Sequence, residues 1–240
     1  MSESGFRLQK GDPAYAGQAV YSGPLLRVYD LVAYRFDAPF IWRCSIESLL
    51  AAYDQHVSAR HLDVGVGTGY LLDHCDFPVP QPQITLMDLN SNSLAFAARR
   101  LRRYRPRTLQ ANVLAPWGLP AGSFDSIAMC NVLSCAPGSM PEKAVAFDYA
   151  RAALAPGGRL FGATVLNGGV EHTWRSRLMM NRTNARGIFS NLGDHREDLE
   201  AALAQRFSSY EVTAEGSMAF FAASVDGQEK HYLGVGQHDS

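Results

Sequence analysis

The stretch that most limits what this chain can become is Arg60-His61-Leu62-Asp63-Val64-Gly65-Val66-Gly67-Thr68-Gly69-Tyr70-Leu71-Leu72. An apolar strand runs into three glycines at alternate positions, and an apolar helix begins directly after them. That order predicts the first β–turn–α unit of an open α/β sheet. Gly65, Gly67 and Gly69 carry no Cβ, so a ligand can lie against the backbone while the chain turns sharply. The N–H groups that open the following helix face the same place, which suits an anionic group. Two carboxylates frame the turn. Asp63 precedes it, and Asp88 closes the next apolar strand, about 20 residues beyond the turn, where such folds place a ribose-binding acid.

Two cofactor readings compete at this point. A dinucleotide site reads G-x-G-x-x-G, its third glycine allowing close packing of helix on strand. This chain reads G-x-G-x-G with an acid two residues before the first glycine. The motifs that follow keep a consistent order: Leu86-Met87-Asp88, then Phe124-Asp125-Ser126-Ile127-Ala128-Met129, then Leu154-Ala155-Pro156-Gly157-Gly158-Arg159-Leu160. Together, over residues 55 to 165, they resemble the class I S-adenosylmethionine-dependent methyltransferases. The resemblance implies a Rossmann-like, seven-stranded, mostly parallel sheet with an N-terminal helical cap and an insertion after strand five. A non-catalytic S-adenosylmethionine-binding protein, a nucleic-acid methyltransferase and a nicotinamide oxidoreductase remain as alternatives.

One domain fits the length better than two. Its expected parts are a helical cap (1–55), a cofactor-binding core (56–165), a lid insertion (166–195), a C-terminal helix and strand pair (196–226) and a tail (227–240). Residues 19–53 are rich in aromatics, and two helices separated near Asp37-Ala38-Pro39 fit them. In the second, Ile41, Cys44, Ser45, Ser48, Leu49 and Ala52 make one face at helical spacing. Asn90-Ser91-Asn92-Ser93 supplies caps for a helix with Leu94, Ala97, Ala98, Leu101 and Tyr104 inward. Ser139-Met140-Pro141-Glu142 is a capping box, and Asp194-His195-Arg196-Glu197 opens a further helix with a similar pattern. Val212-Thr213-Ala214 and Met218 to Val225 read as an antiparallel strand pair closing the sheet.

The resemblance assigns roles residue by residue. Asp88 is expected to hold the ribose hydroxyls, with Leu89 packed on the adenine. Asp63 and the N–H groups of the Gly65-Gly67-Gly69 turn are expected to face the amino-acid portion. Asn112 stands where the family places an Asp or Asn near the adenine amino group, and the Val113 N–H would donate to a ring nitrogen. The alternative for Asn112 is that it satisfies its own turn. Cys130, ending strand four, joins the cofactor set. The substrate side is expected from Tyr21, Tyr29, Tyr34 and Trp42, from Ser134 and Cys135 after strand four, and from Trp174 in the lid. Arg43 or an N-terminal tyrosine is expected near the cofactor carboxylate. A general base, if the acceptor needs one, would be His172 with Glu171 beside it; the other reading is a surface or core histidine. In a related microbial group the strand-four loop reads His-Cys-Leu-Pro-Gly. Here it is Ser134-Cys135-Ala136-Pro137-Gly138, so a histidine at position 134 is absent.

A net charge of −1 gives no general pull towards nucleic acid. Arg99, Arg100, Arg102, Arg103, Arg105 and Arg107 could form a nucleic-acid patch, but on a helix with an apolar opposite face they also read as a solvated surface. Cys44, Cys75, Cys130 and Cys135 lack the spacing of a zinc site, so reduced thiols and no metal are expected. No secretory signal or membrane span is visible, which makes a cytoplasmic enzyme the expectation. Its partner would be a small, aromatic or secondary-metabolite-like acceptor, with no nucleic acid and no membrane, the protein acting as a monomer or homodimer.

Overall fold

The sheet is built around β1 (Arg60–Val64), four of whose five residues are buried. A strand covered on both faces needs neighbours on both edges. β1 finds them in two parallel partners, β2 (Gln83–Asp88), with Val64 opposite Met87, and β4 (Phe124–Cys130), with Val64 opposite Met129. The computed structural model describes residues 40–226, and every call on Tyr21, Tyr29 and Tyr34, on the first cap helix and on the tail lies outside them. β3 (Arg107–Gln110) pairs with β2, and β5 (Leu154–Val165) pairs parallel with β4. β6 (Ser209–Glu215) and β7 (Met218–Ser224) form the antiparallel hairpin that finishes the sheet, in the order β3-β2-β1-β4-β5-β7-β6. The order reverses between β1 and β4. Their carboxyl ends, with that of β2, meet at this switch point, where open α/β sheets take ligands.

One face of the sheet is covered by α1 (Ile46–His56), α2 (Tyr70–His74) and α3 (Ser91–Arg100), which bring Leu49, Tyr53, Leu71, Leu94 and Ala97 onto Ile84, Leu86, Ala128 and Phe161. The other is covered by α5 (Val145–Ala153) and α7 (Arg196–Ala204), with Phe147, Ala150, Leu199 and Leu203 packed near Leu62, Ile127 and Met129. α4 (Met140–Lys143) starts on the expected Ser139–Glu142 capping box, and Ala144 separates it from α5. α6 (Trp174–Ala185) lies in the insertion after β5.

Three local expectations are corrected. The second cap helix is broken at residues 43–45: Arg43 sits at φ 55, which breaks a helix, and Ser45 then caps α1 by accepting from the Ser48 N–H at 3.0 Å. α3 stops at Arg100, and Arg105 turns left-handed at φ 52. Asp194 is not a cap. His195 holds that position without a side-chain bond, while Asp194 Oδ2 accepts from Lys143 Nζ at 2.6 Å. Of the clustered arginines, Arg103 pairs with Asp73 and lies over the Tyr104 ring, and Arg100 lies over Tyr70 and Phe96. Part of the cluster therefore packs and neutralises the end of α3.

Candidate functional site

Two clefts meet at the glycine turn. The first is lined by Gly65, Gly67, Asp88, Leu89, Ala111, Asn112, Val113, Asn131, Val132, Cys135, Ala136 and Pro137, among others. The second holds Tyr53, Asp63, Gly65, Gly67, Gly69, Cys130 and Asn131. Gly65, Gly67 and Asn131 belong to both, so the clefts are two arms around one bend. All nine residues expected around the cofactor (Asp63, Gly65, Gly67, Gly69, Asp88, Leu89, Asn112, Val113 and Cys130) line one arm or the other.

The glycines serve different ends. All three have positive φ, between 54° and 73°. A Cβ on Gly65 would meet Val132 Cβ at 2.7 Å, and one on Gly69 would meet Ala97 Cβ at 3.0 Å, so both permit close packing inside the protein. A Cβ on Gly67 would meet nothing within 4 Å, so that position faces open space in the cleft. The glycine amides of the turn are not free. Gly65 donates to Met87 O at 2.8 Å, Gly67 to Asp88 Oδ2 at 3.2 Å and Gly69 to Val66 O at 2.9 Å. The turn's glycine amides are spent on the protein itself, and α2 has only 5 residues to supply a dipole.

Asp88 is half-buried, with Oδ1 accepting from Asn90 N–H at 2.8 Å and Oδ2 from Gly67 N–H. An ionised carboxylate offers about four acceptor directions, so these bonds leave room for two hydroxyls. Burial pushes its pKa up to about 6, against the pull of those N–H donors. A folded-state pKa above the unfolded value of about 3.9 contributes stability at low pH, which is lost as pH rises through 6. Hydroxyl donors need the ionised form. Affinity for S-adenosylhomocysteine should therefore rise about tenfold from pH 5 to 7 and flatten in Asp88→Asn. Calorimetric titration across that range checks this, and a flat wild-type profile refutes it.

Other candidates are engaged within the protein or lie away from the clefts. Asn112 Oδ1 accepts from Leu114 N–H at 2.9 Å, the local turn that was its alternative reading. Glu171 and Arg43 are 82% and 60% exposed and face each other at 3.9 Å on the surface, so neither the base nor the carboxylate contact expected of them is built there. The chain leaves β5 towards the β6–β7 turn, where Glu171 N–H donates to Gly216 O. His172 follows it. Its Nδ1 lies 3.2 Å from both Ser176 and Ser217 Oγ, and its Nε2 is buried without a hydrogen-bond partner. Burial, then Arg177, lowers its pKa, and it lines neither cleft. Trp174, expected at the substrate, is 70% exposed at the start of α6. Trp42 is buried against Phe189 with ring centroids 5.8 Å apart. Ser134 is fully buried, its carbonyl taken by Ser190 N–H, while Cys135 lines the first cleft.

Comparison with known proteins agrees with this architecture. Residues 62–160 match a family described as a methyltransferase domain. The chain is 46% identical over 207 residues to a demethylluteothin O-methyltransferase of Streptomyces thioluteus, covering 86% of this chain and 90% of that protein. The chain belongs to the class I S-adenosylmethionine-dependent methyltransferases. A methyltransferase of Penicillium polonicum, verB, is 38% identical over 226 residues, covering 85% and 96%. A phosphoethanolamine N-methyltransferase of Haemonchus contortus, solved with S-adenosyl-L-methionine, shares the fold at a TM-score of 0.65. It is 16% identical, and the match spans 89% of this chain and 59% of that one. The oxidoreductase and non-catalytic readings give way to an S-adenosylmethionine-dependent enzyme.

The clefts of this methyltransferase fit that cofactor on two observations. The space beside Gly67 is open to a ligand, and the Oδ1 of Asn131, at the bend, is buried without a partner. Asn131 was not singled out in the sequence. It sits at φ 58, directly after β4, and an Asn in left-handed backbone at a strand end is a signal visible only once the strand is placed.

Proposed function

We propose that this enzyme transfers methyl to a hydroxyl of a small, uncharged, aromatic or secondary-metabolite-like acceptor. The observation that carries the reading is the first cleft's lining, where Val132, Cys135, Ala136 and Pro137 present apolar surface and Asp88 is the one charged group among the described lining residues. An apolar wall suits an uncharged ring system and gives a charged acceptor nothing to pair with. The resemblance to a demethylluteothin O-methyltransferase supports a hydroxyl acceptor.

S-adenosylmethionine supplies an electrophilic methyl on a sulfonium whose charge disappears on transfer. The chain's part is positional: Asp88 takes the ribose hydroxyls, Leu89 and Val113 flank the base, and Asp63 meets the α-ammonium. Holding nucleophile and methyl in line and excluding water supply the rate. The titratable groups among the described lining residues are Tyr53, Asp63, Asp88, Cys130 and Cys135. Burial pushes Cys135 up to about 11 and Cys130 higher still, so neither thiol is a ready base. An acceptor such as a phenol or enol, which ionises readily, matches a cleft of this kind. Free cysteines among the described residues support a reducing, cytoplasmic setting.

The test is incubation of the enzyme with methyl-labelled cofactor and size-fractionated extracts. Label is expected in small, organic-extractable compounds. Label found only in RNA or protein would refute the proposal.

A further inference from the structure

β1 carries a residue that its pattern does not require. A strand covered on both faces is ordinarily apolar throughout, yet His61 is fully buried within it. Its ring is surrounded by those of Tyr53, Phe77 and Phe161, with centroids 5.9–6.4 Å away. Burying an imidazole there is costly unless its nitrogens are used.

Hydrogen-bond logic shows how they are used. Ser126 Oγ accepts from the Ser58 N–H at 2.9 Å and lies 2.8 Å from His61 Nδ1. A hydroxyl offers two acceptor lone pairs and one proton, so Ser126 Oγ can take the amide and still donate its own proton to Nδ1. In that tautomer the ring proton sits on Nε2, which has no hydrogen-bond partner and lies 3.7 Å from Asp63 Oδ2. On the same oxygen, Tyr53 Oη donates at 2.8 Å. Tyr53 thus holds Oδ2 by a hydrogen bond, and the imidazole edge faces the same oxygen from 3.7 Å, beyond hydrogen-bond reach. Oδ1 is left towards the cleft that Asp63 shares with Gly65, Gly67, Gly69 and Asn131. Asp63 is only 4% exposed, so a carboxylate held there with one full hydrogen bond is short of positive charge. A ligand ammonium would supply it.

We infer that Tyr53 and His61 are positioning residues that fix the Asp63 carboxylate in one orientation, with Oδ1 presented to the α-ammonium of the cofactor. The inference rests on the reading of this arm as the amino-acid end of the site. Neither side chain touches the reacting atoms. Their effect passes through Asp63, and it is confined to ligands that carry the amino-acid portion.

That confinement gives the test. S-adenosylhomocysteine and 5′-methylthioadenosine share the nucleoside and sulfur, but only the first carries the ammonium. Both are titrated into wild type, Tyr53→Phe, His61→Leu, His61→Gln, Asp63→Asn and the Tyr53→Phe/Asp63→Asn pair. Tyr53→Phe keeps the edge-on packing of the ring against Phe161, so it retains the fold. It should weaken S-adenosylhomocysteine about tenfold and leave 5′-methylthioadenosine unchanged. His61→Leu should do the same, with His61→Gln, which keeps an N–H donor, recovering most of the loss. On the Asp63→Asn background Tyr53→Phe should add little, the signature of action through one carboxylate. Equal weakening of both ligands, or of neither, overturns the inference while leaving the cofactor site in place. Wild type that binds the two ligands equally, or binds neither, overturns the placement of the amino-acid end itself.

Discussion

Replacing Asp88 by Ala should weaken S-adenosylhomocysteine binding by about a hundredfold, and Asp88→Asn should lose markedly less. Two hydroxyl bonds to a carboxylate at about 1.5 kcal/mol each amount to about 3 kcal/mol, or two decades in Kd. The alanine variant also loses the acceptor for Gly67 N–H and Asn90 N–H, the two contacts that tie the glycine turn to the start of α3. Asn keeps one carbonyl oxygen and so can hold one set of donors, not both. The fold should survive either change. Burial already works against the charged form of Asp88, whose pKa it raises to about 6, so removing the charge relieves a cost as well as cutting two bonds. Titration of the three proteins, with melting curves beside it, decides the matter. A folded Asp88→Ala protein that binds as tightly as wild type would show that the ribose lies elsewhere.

Asp88 also marks how far the sequence could be read. Strand, glycine turn, second strand and terminal acid are near neighbours in the chain, and short-range order fixes their geometry, so the cofactor arms were legible from spacing. The seven-stranded, mostly parallel sheet was implied by the family resemblance those motifs carry, while the order β3-β2-β1-β4-β5-β7-β6 is seen only in the fold. What could not be read is where each polar group spends its hydrogen bonds. The Gly67 N–H looks free in a motif and is bound to Asp88 in the fold. Arg43 and Glu171 looked like ligands of the site because each neighbours a plausible element. They are a solvated pair because β5 hands the chain to the β6–β7 turn and not back over the cleft. His61 sits in a run that reads as plain strand, and its ring neighbour Tyr53 and hydrogen-bond partner Ser126 come from α1 and β4. Asp194 has the local look of a helix cap, and its real partner is 51 positions away.

That partner makes Asp194 the second site of large effect. Asp194→Ala should destabilise the protein by about 3–5 kcal/mol, the usual cost of stranding one half of a buried ion pair. For a domain of this size that is a fall in Tm of about 6–20 °C. Lys143 and Asp194 side chains are 0% and 1% exposed and meet at 2.6 Å. Lys143 Nζ donates also to Ser190 O at 2.6 Å, and Ser190 N–H donates to Ser134 O at 2.8 Å. The pair thus pins the insertion after β5 to α4 and to the loop whose Cys135 lines the cleft. It is not a strong net source of stability. Burial lowers the pKa of Lys143 and raises that of Asp194, each the first cause ahead of their mutual attraction, and Asp194 Oδ1 has no partner. Breaking the pair is therefore costly, whereas replacing it whole is not: Lys143→Met/Asp194→Leu should melt near wild type or above it. Lys143→Met alone should carry a pH signature. Without the ammonium, the folded-state pKa of Asp194 rises further above its unfolded value. The stability this gives is present at low pH and lost as pH rises, so the variant's deficit should be smaller at pH 5 than at pH 8. Melting curves of the two singles and the double at both pH values measure all of this. An Asp194→Ala protein that melts within a few degrees of wild type would mean the insertion is held to α4 by something other than this pair.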